Sequence, residues 1–284
     1  MHPRTVRSLD VPAADAARIA NGIEDLYNDA LDLIVIRRAF TPEPLATVGA
    51  KLDRDDVDPG WARPNQKMPV EDIQLLGTDT PATPTFQAPQ GASLDAYLDS
   101  AARHRADAPS VFQPGFDATR EFQQVLGRCA GGRRVEVALN SDGRPFVPYT
   151  IRRLVDGKQI GIHHDYHYPL ALYKDLAPQL DTTTLVSFVV TLGAPQAGGE
   201  LFVYAAGPAT PDVPKLPNGF QYDLEAIEQR YHFAKFVMDV GDLFLLASGR
   251  CLHRVGTISG PRARVTMGGF LALDKPRDRV LFWS

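Results

Sequence analysis

The sequence predicts an α+β protein with a mainly β core, arranged as a double-stranded β-helix (jelly roll) with supporting N-terminal helices. Residues 1–131 show helical periodicity, whereas residues 132–284 contain many short apolar runs separated by Gly, Pro, Asn and Asp. Short strands at this spacing are typical of barrels and paired sheets. We therefore interpret residues 1–284 as a single domain, with a mostly helical first part that includes a long loop, followed by the jelly-roll core.

The first part is predicted to contain four helices and one short strand. Apolar residues recur there at steps of three and four among Asp, Arg, Asn and Glu, which indicates helices with one buried face. Pro42 suits the first position of a helix, and Thr41 can cap that helix. The predicted helices span residues 11–30, 42 to about 53, 93–105 and 117–129, and the predicted strand spans residues 31–36.

Two segments without periodicity are predicted to be loops near a functional site. Residues 54–92 are rich in Asp, Pro, Gly, Thr and Gln, and residues 205–221 are rich in Pro, Ala and Gly. Long loops in compact domains are often functional. We expect these two segments to form a lid that excludes water from the site.

Ten short strands are predicted in the second part. Each is a β-prone run bounded by turn residues. Gly198 and Gly199 predict a tight turn before one of these strands. The runs span residues 135–139, 149–155, 159–165, 183–192, 201–204, 233–238, 243–246, 255–258, 265–273 and 280–283.

Composition excludes several classes of protein. A formal net charge of −4 does not provide the basic face that nucleic-acid binding requires. The sequence has neither a signal-peptide core nor an apolar run long enough to span a bilayer, so we expect a cytoplasmic protein without membrane contact. Cys129 and Cys251 lack the spacing of a zinc finger and are predicted to be buried thiols. The expected partner is a small-molecule substrate.

Two histidines and one aspartate form a candidate metal site. His163 and Asp165 lie two residues apart on a predicted strand, so their side chains share a face while His164 points to the other. His253 follows a turn and an apolar strand, and it is the predicted third ligand. Two imidazoles and one carboxylate leave three metal positions open, which a non-haem iron centre needs for a co-substrate and dioxygen.

A different metal site also fits these residues. His167 paired with either His163 or His164 has the ligand types of a zinc site. Spacing alone does not separate this zinc arrangement from the iron arrangement.

An arginine downstream of His253 is predicted to bind a carboxylate. Arg264 lies eleven residues after His253, where a guanidinium can donate two parallel hydrogen bonds to a carboxylate. Arg262 is the rival, nine residues after His253, and both arginines are expected on one strand face. Three further residues are expected on strands that line the same pocket, of which the first is a candidate cofactor contact: Ser187, Thr150 and Arg152.

Six short motifs carry a family resemblance: Tyr149-Thr-Ile-Arg-Arg-Leu, Ala197-Gly-Gly-Glu-Leu-Phe-Val-Tyr, Gly241-Asp-Leu-Phe-Leu-Leu, Gly249-Arg-Cys-Leu-His-Arg-Val, Met267-Gly-Gly-Phe-Leu-Ala and Phe282-Trp-Ser. They resemble the Fe(II)/2-oxoglutarate-dependent oxygenase superfamily, and within it the hapalindole-type (welwitindolinone) aliphatic halogenases. The resemblance covers most of residues 148–284. It implies Fe(II) held by His163, Asp165 and His253, 2-oxoglutarate held by Arg264, and O2 as co-substrate.

One position departs from the halogenases. They have Gly where this chain has Asp165, and the vacancy is where chloride binds iron. With the carboxylate present, the resemblance implies a 2-oxoglutarate-dependent non-haem iron dioxygenase that hydroxylates its substrate.

The predicted reaction is hydroxylation of an unactivated aliphatic C–H bond in a small specialised metabolite, an alkaloid or a modified amino acid, with release of succinate and CO2. Tyr166, His167 and Tyr168 are expected to contact this substrate. The same cofactors also support desaturation, cyclisation, epimerisation or halogenation. A rival from another class is a cupin-like metal-binding protein without catalysis, which would have no need for Arg264.

Overall fold

The computed structural model of the chain describes residues 4–54, 74–76, 94–165 and 174–284. These residues contain fifteen strands and five α-helices. The strands are β1 (Ser8–Pro12), β2 (Leu33–Arg37), β3 (Gln74–Leu76), β4 (Arg134–Val137), β5 (Thr150–Leu154), β6 (Ile160–His163), β7 (Val186–Gly193), β8 (Ala197–Gly198), β9 (Leu201–Tyr204), β10 (Phe233–Phe236), β11 (Leu243–Leu246), β12 (His253–Val255), β13 (Ile258–Ser259), β14 (Arg264–Leu273) and β15 (Arg279–Trp283). The helices are α1 (Gly22–Tyr27), α2 (Pro42–Leu52), α3 (Leu94–Val111), α4 (Ala118–Gly127) and α5 (Leu224–Arg230).

Two sheets packed face to face form the jelly roll. The major sheet runs in the order β1-β2-β11-β7-β14-β15-β4, and β5 pairs with the first half of β14 while β3 pairs with β5. The minor sheet runs in the order β10-β9-β12-β6, and β13 pairs with β8 in a separate two-stranded ribbon. The predicted fold class is confirmed.

The space between the two sheets is apolar at one end. Side chains of β2, β7 and β11 from the major sheet pack there against side chains of β9 and β10 from the minor sheet. Alternate residues of a strand point to opposite faces, so this inner face of β7 carries Ser187, Val189 and Thr191. The opposite face of β7 carries Phe188 and Val190, which belong to a larger core shared with the helices.

Helices α1, α2, α3 and α4 cover the outer face of the major sheet. The ring of Phe122 on α4 meets Phe188 edge to face, with ring centroids 4.8 Å apart, and both side chains are fully buried. Edge-to-face aromatic pairs add to the stabilisation from burial alone. This layer holds the major sheet from behind and leaves its inner face to the functional site.

Replacing Phe122 with Ala is expected to lower the free energy of unfolding by about 3–5 kcal/mol, because the variant loses buried aromatic surface and leaves a cavity between α4 and the sheet. Denaturant unfolding measures this change. Phe220 is 89% exposed, so Phe220→Ala is the matched control and should leave the stability nearly unchanged. An equal loss in both variants would contradict this description of the core.

The predicted helix at residues 11–30 is wrong in part. Its first two residues belong to β1, which pairs in parallel with β2, and the remainder is split into a 3-10 segment at Ala13–Ile19 and the short helix α1. Residues 8–12 form a strand because they pair with residues about 25 positions later in the chain. The spacing of apolar residues within 11–30 carries no information about that pairing.

Other boundaries also differ from the sequence prediction. Helix α3 continues to Val111, six residues beyond the predicted end, along a mostly exposed stretch that has no apolar face to detect. The run predicted at residues 255–258 is two strands, β12 and β13. Thr41 occupies the N-cap of α2 but its side chain makes no capping hydrogen bond. Most of the loop predicted at residues 54–92 lies outside the described residues, and the strand β3 lies within it.

Two expectations from composition can be compared with the described residues. Cys129 and Cys251 are buried free thiols, as predicted. No helix among the described residues is both long enough and apolar enough to cross a membrane.

Candidate metal centre

The end of β6 and the start of β12 bring the two predicted histidine ligands together. His163 is the last residue of β6, His253 is the first residue of β12, and the two are cross-strand partners in the minor sheet. Asp165 lies two residues beyond the end of β6, where its backbone N–H donates to the carbonyl oxygen of Ser248 (2.9 Å). A strand pairing and one backbone hydrogen bond therefore place all three predicted ligands.

The three side chains present their ligand atoms to one point. The Nε2 atom of His163 lies 3.7 Å from Oδ1 of Asp165, and the Nε2 atom of His253 lies 3.7 Å from Oδ2 of the same carboxylate. One ligand atom from each residue lies within 4.8 Å of the others. First-row metals bind such atoms at about 2.0–2.2 Å, so one ion can contact all three. The donor set fits a non-haem iron centre with open positions.

Backbone carbonyls fix the orientation of both imidazole rings. The Nδ1 atom of His163 lies 2.8 Å from the carbonyl oxygen of Gly161, and the Nδ1 atom of His253 lies 3.1 Å from that of Cys251. A carbonyl only accepts, so each Nδ1 carries the proton and each Nε2 keeps a lone pair for a metal. Burial, followed by the nearby His163, lowers the pKa of His253 to about 4, which keeps this imidazole neutral near pH 7.

His164 takes no part in this group. Its side chain points away from the three ligands, and its Nδ1 atom forms a 3.0 Å hydrogen bond with the hydroxyl of Tyr222. Burial lowers the pKa of His164. His167, the other residue of the alternative zinc site, lies outside the described residues, as do Tyr166 and Tyr168.

Single substitutions can show which of the adjacent residues His163 and His164 binds the metal. We expect His163→Ala to weaken metal binding by more than the 10–100-fold that loss of an outer-shell partner costs, because a ligand atom is removed. His164→Ala should change the metal affinity little. Titration of the metal-free protein with Co(II), followed by visible absorption, measures both affinities. Stronger loss in His164→Ala would favour the alternative zinc arrangement.

Arg264 is buried at the inner face of the major sheet, where it opens β14. Burial lowers the pKa of Arg264 to about 10, and the positive charge of Arg152 adds to this effect. Within the part of the chain that the structure describes, Arg264 forms no ion pair with an Asp or Glu side chain. A buried guanidinium without a carboxylate beside it is the environment in which an anionic ligand binds strongly.

The backbone around Arg264 leaves room for its side chain. Gly199 has a positive φ of 72°, and a Cβ atom at this position would lie 3.1 Å from Cδ of Arg264. The predicted turn at Gly198 and Gly199 is confirmed, since both residues have positive φ. The glycine pair thus serves the turn and the arginine at once, a contact that the sequence did not indicate.

The two candidate arginines do not share a strand face, so this expectation is wrong. Strand β14 begins at Arg264, and Arg262 is an exposed residue that precedes it. The turn after Gly260, which has a positive φ of 94°, delays the start of the strand. Of the two, only Arg264 is buried, at the inner face of the major sheet.

The remaining predicted pocket residues lie on the strands next to Arg264. Ser187 is buried on β7 and faces Phe270 of β14 in the sheet register. Arg152 on β5 is the cross-strand partner of Thr266. The hydroxyls of Thr150 and Ser284 are 2.8 Å apart, which gives Thr150 a structural partner. A cofactor contact for Ser187 stays a prediction.

Comparison with known proteins identifies the family and the shared fold. A family model described as carrier-protein-independent halogenase WelO5 matches residues 5–284, whereas the curated proteins contain no match. The chain is similar to a solved N-substituted L-amino acid dioxygenase from Burkholderia ambifaria AMMD, with 14% identity over 93% of this chain and 91% of that chain and a TM-score of 0.55. It is also similar to the non-heme alpha ketoglutarate dependent carbocyclase SnoK from nogalamycin biosynthesis, with 10% identity over 90% of this chain and 88% of that chain and a TM-score of 0.50.

At these identities the solved structures indicate the fold alone, and the family match carries the assignment. It extends over nearly the whole chain, including the N-terminal part, where the resemblance read from the sequence is weaker. The clustered His163, Asp165 and His253 agree with the metal that this family uses. The chain belongs to the carrier-protein-independent halogenase WelO5 family of Fe(II)/2-oxoglutarate-dependent oxygenases, with Fe(II) and 2-oxoglutarate as its cofactors.

Proposed function

We propose that this chain is a hydroxylase of its family, acting on an unactivated aliphatic C–H bond of a small specialised metabolite. The observation that carries the proposal is the position of Asp165, whose carboxylate lies 3.7 Å from the Nε2 atoms of both histidines. A carboxylate at that point occupies the metal position that a halide would need beside 2-oxoglutarate and dioxygen. The halogenases that the chain resembles have Gly at this position.

Each residue of the proposed site has a defined task. His163 and His253 would bind Fe(II) through their Nε2 atoms, and the carboxylate of Asp165 would be the third ligand. Arg264 would hold the distal carboxylate of 2-oxoglutarate, since a guanidinium can pair with a carboxylate. When bound, Fe(II), 2-oxoglutarate and dioxygen together supply the oxidising power for C–H cleavage, with release of succinate and CO2. The protein selects the carbon by holding the substrate next to the metal.

The substrate class is proposed from the family resemblance. It suggests a small, largely apolar molecule, either an alkaloid or a modified amino acid. The dioxygenase of similar fold acts, by its name, on N-substituted L-amino acids, and this class belongs in the first substrate panel.

The test is succinate formation coupled to product. The purified protein, loaded with Fe(II) under air, is given 2-oxoglutarate and a panel of alkaloids and N-substituted amino acids, with chloride present throughout. A product that gains one oxygen atom in step with succinate supports hydroxylation. Loss of two hydrogens would indicate desaturation or ring closure, and gain of chlorine would indicate that Asp165 does not block the halide. Absence of both 2-oxoglutarate binding and succinate release would favour a metal-binding protein without catalysis.

A further inference from the structure

A buried carboxylate outside the metal centre collects three arginines. Asp32, directly before β2, is 1% exposed. Its Oδ1 atom accepts from Arg4 at 2.6 Å, from Arg7 at 2.9 Å and from Arg250 at 2.9 Å. Burial alone would raise the pKa of Asp32, but the hydrogen bonds from Arg7 and the nearby positive charges lower it to about 2. The carboxylate is therefore ionised at neutral pH, and it pairs with arginines from the N-terminal and the C-terminal parts of the chain.

One of these arginines, Arg250, belongs to the loop that precedes His253. Arg250 also donates to the carbonyl oxygens of Leu26 (3.0 Å) and Leu31 (2.9 Å), and it pairs with Asp29. The planar guanidinium directs its N–H donors in fixed directions. Arg250 therefore ties the loop at residues 247–252 to the turn between α1 and β2.

The neighbouring residue contacts the same carboxylate. The thiol of Cys251 lies 3.6 Å from Oδ1 of Asp32, within the range of a sulfur hydrogen bond. A thiol S–H is a weak donor and a carboxylate oxygen is an acceptor, so the sulfur donates to Asp32. Asp32 thus holds two consecutive side chains of the 247–252 loop.

This loop supplies the backbone groups that orient two of the proposed metal ligands. The carbonyl of Cys251 accepts from Nδ1 of His253 (3.1 Å), and the carbonyl of Ser248 accepts from the backbone N–H of Asp165 (2.9 Å). A shift of the loop would therefore turn the His253 ring and displace the Asp165 carboxylate together. Groups that orient a metal ligand from behind are known to change metal affinity by about 10–100-fold.

We propose that Asp32 and Arg250 form a positioning pair for the metal centre, acting through the carbonyls of residues 248 and 251. The proposal rests on the proposed function, since it takes His253 and Asp165 as metal ligands. Neither Asp32 nor Arg250 touches the metal. Their joint effect is to hold the two ligands at the separation that one ion requires.

The chain offers a matched control pair at the other end of β11. Asp242 is 2% exposed and is thus nearly as buried as Asp32. Its carboxylate accepts from Arg37 at 2.7 Å and from the backbone N–H of Arg38 at 2.9 Å. In the hydrogen bonds of the described residues, Asp242 and Arg37 contact neither the 247–252 loop nor a proposed ligand. Loss of either pair removes a buried carboxylate–arginine contact from the same sheet.

Four single variants of the full chain test the proposal: Asp32→Asn, Arg250→Met, Asp242→Asn and Arg37→Met. The metal-free proteins are titrated with Co(II), and the dissociation constant and the visible absorption spectrum are recorded beside the unfolding temperature. We expect the first two variants to bind Co(II) at least about tenfold more weakly and with a changed spectrum. The control variants should lose a comparable amount of thermal stability but keep the wild-type affinity and spectrum.

The outcomes separate this proposal from the proposed function. Wild-type Co(II) affinity and spectrum in both Arg250→Met and Asp32→Asn would overturn the positioning role and leave the metal site intact. Equal weakening in all four variants would also overturn it, because a general loss of stability would then account for the effect. A wild-type protein that fails to bind Co(II) would overturn the proposed metal site itself, and the positioning role with it. If Asp32→Asn does not fold, Arg250→Met against Arg37→Met decides alone.

Discussion

Replacing Asp165 with Gly is expected to reduce succinate-coupled hydroxylation by at least about a hundredfold. The variant loses the charged ligand that lies 3.7 Å from both imidazole Nε2 atoms, and metal catalysis contributes several kcal/mol of transition-state stabilisation. A loss of about 3 kcal/mol corresponds to about a hundredfold in rate. Initial rates of succinate and hydroxylated product, measured with saturating Fe(II), give the change directly.

Two companion variants control this experiment. Asp165→Glu keeps a carboxylate one methylene further from the backbone and should retain more activity than Asp165→Gly. Asp165→Ala should behave as the Gly variant does, since both lack the carboxylate. The Gly variant also restores the residue that the resembling halogenases have, so its products are analysed with chloride present. Full hydroxylase activity in Asp165→Ala would show that a different carboxylate is the metal ligand.

Strand positions were the part of the fold that local sequence could predict best. The apolar runs at residues 201–204 and 243–246 match β9 and β11 to the residue, because turn residues bound each run on both sides. Strand β1 was missed, since Ser8–Pro12 is ordered by parallel pairing with β2 and not by a pattern of its own. The prediction ended helix α3 six residues too early because the last turns of this helix are mostly exposed. Periodicity detects a buried face and has no signal where none exists.

The metal group could be predicted because two of its members are close in sequence. His163 and Asp165 have the spacing of a shared strand face, and His253 begins a strand after an apolar run. The structure brings these residues together. It differs in one detail, since Asp165 lies beyond the end of β6 and is directed by the carbonyl of Ser248. The prediction that the side chains of Asp165 and His163 point the same way was right, although it assumed a strand through residue 165 and β6 ends at His163.

Supporting contacts around the site could not be predicted. Asp32 is joined to Arg250 from more than two hundred positions away, and no short motif encodes such a contact. Tyr222, one residue beyond the loop predicted at residues 205–221, contacts His164 from more than fifty positions away. The preference for Arg264 over Arg262 came from the family resemblance, and the difference in burial between the two arginines became visible only in the structure.

Replacing Arg264 with Met is expected to raise the KM for 2-oxoglutarate by at least about thirtyfold. A buried charged partner contributes about 2–5 kcal/mol when it is removed from a hydrogen-bonded pair, and 2 kcal/mol corresponds to about thirtyfold in affinity. Methionine fills much of the space of the arginine stem beside Gly199, so the change is mainly one of charge. Titration of the Fe(II)-loaded protein with 2-oxoglutarate without oxygen gives the affinity, and initial rates give the KM.

Arg262→Met is the matched control, because Arg262 is the other arginine at a suitable distance from His253 and lies exposed before β14. It should leave the 2-oxoglutarate affinity within about twofold of wild type, in keeping with the small effects of exposed charges. Metal affinity should be unchanged in both variants, since neither arginine belongs to the ligand group. A larger effect in Arg262→Met would reverse the assignment of the two arginines. Unchanged 2-oxoglutarate binding in Arg264→Met and Arg262→Met alike would mean that neither guanidinium holds the co-substrate, which is the behaviour expected of a non-catalytic metal-binding jelly roll.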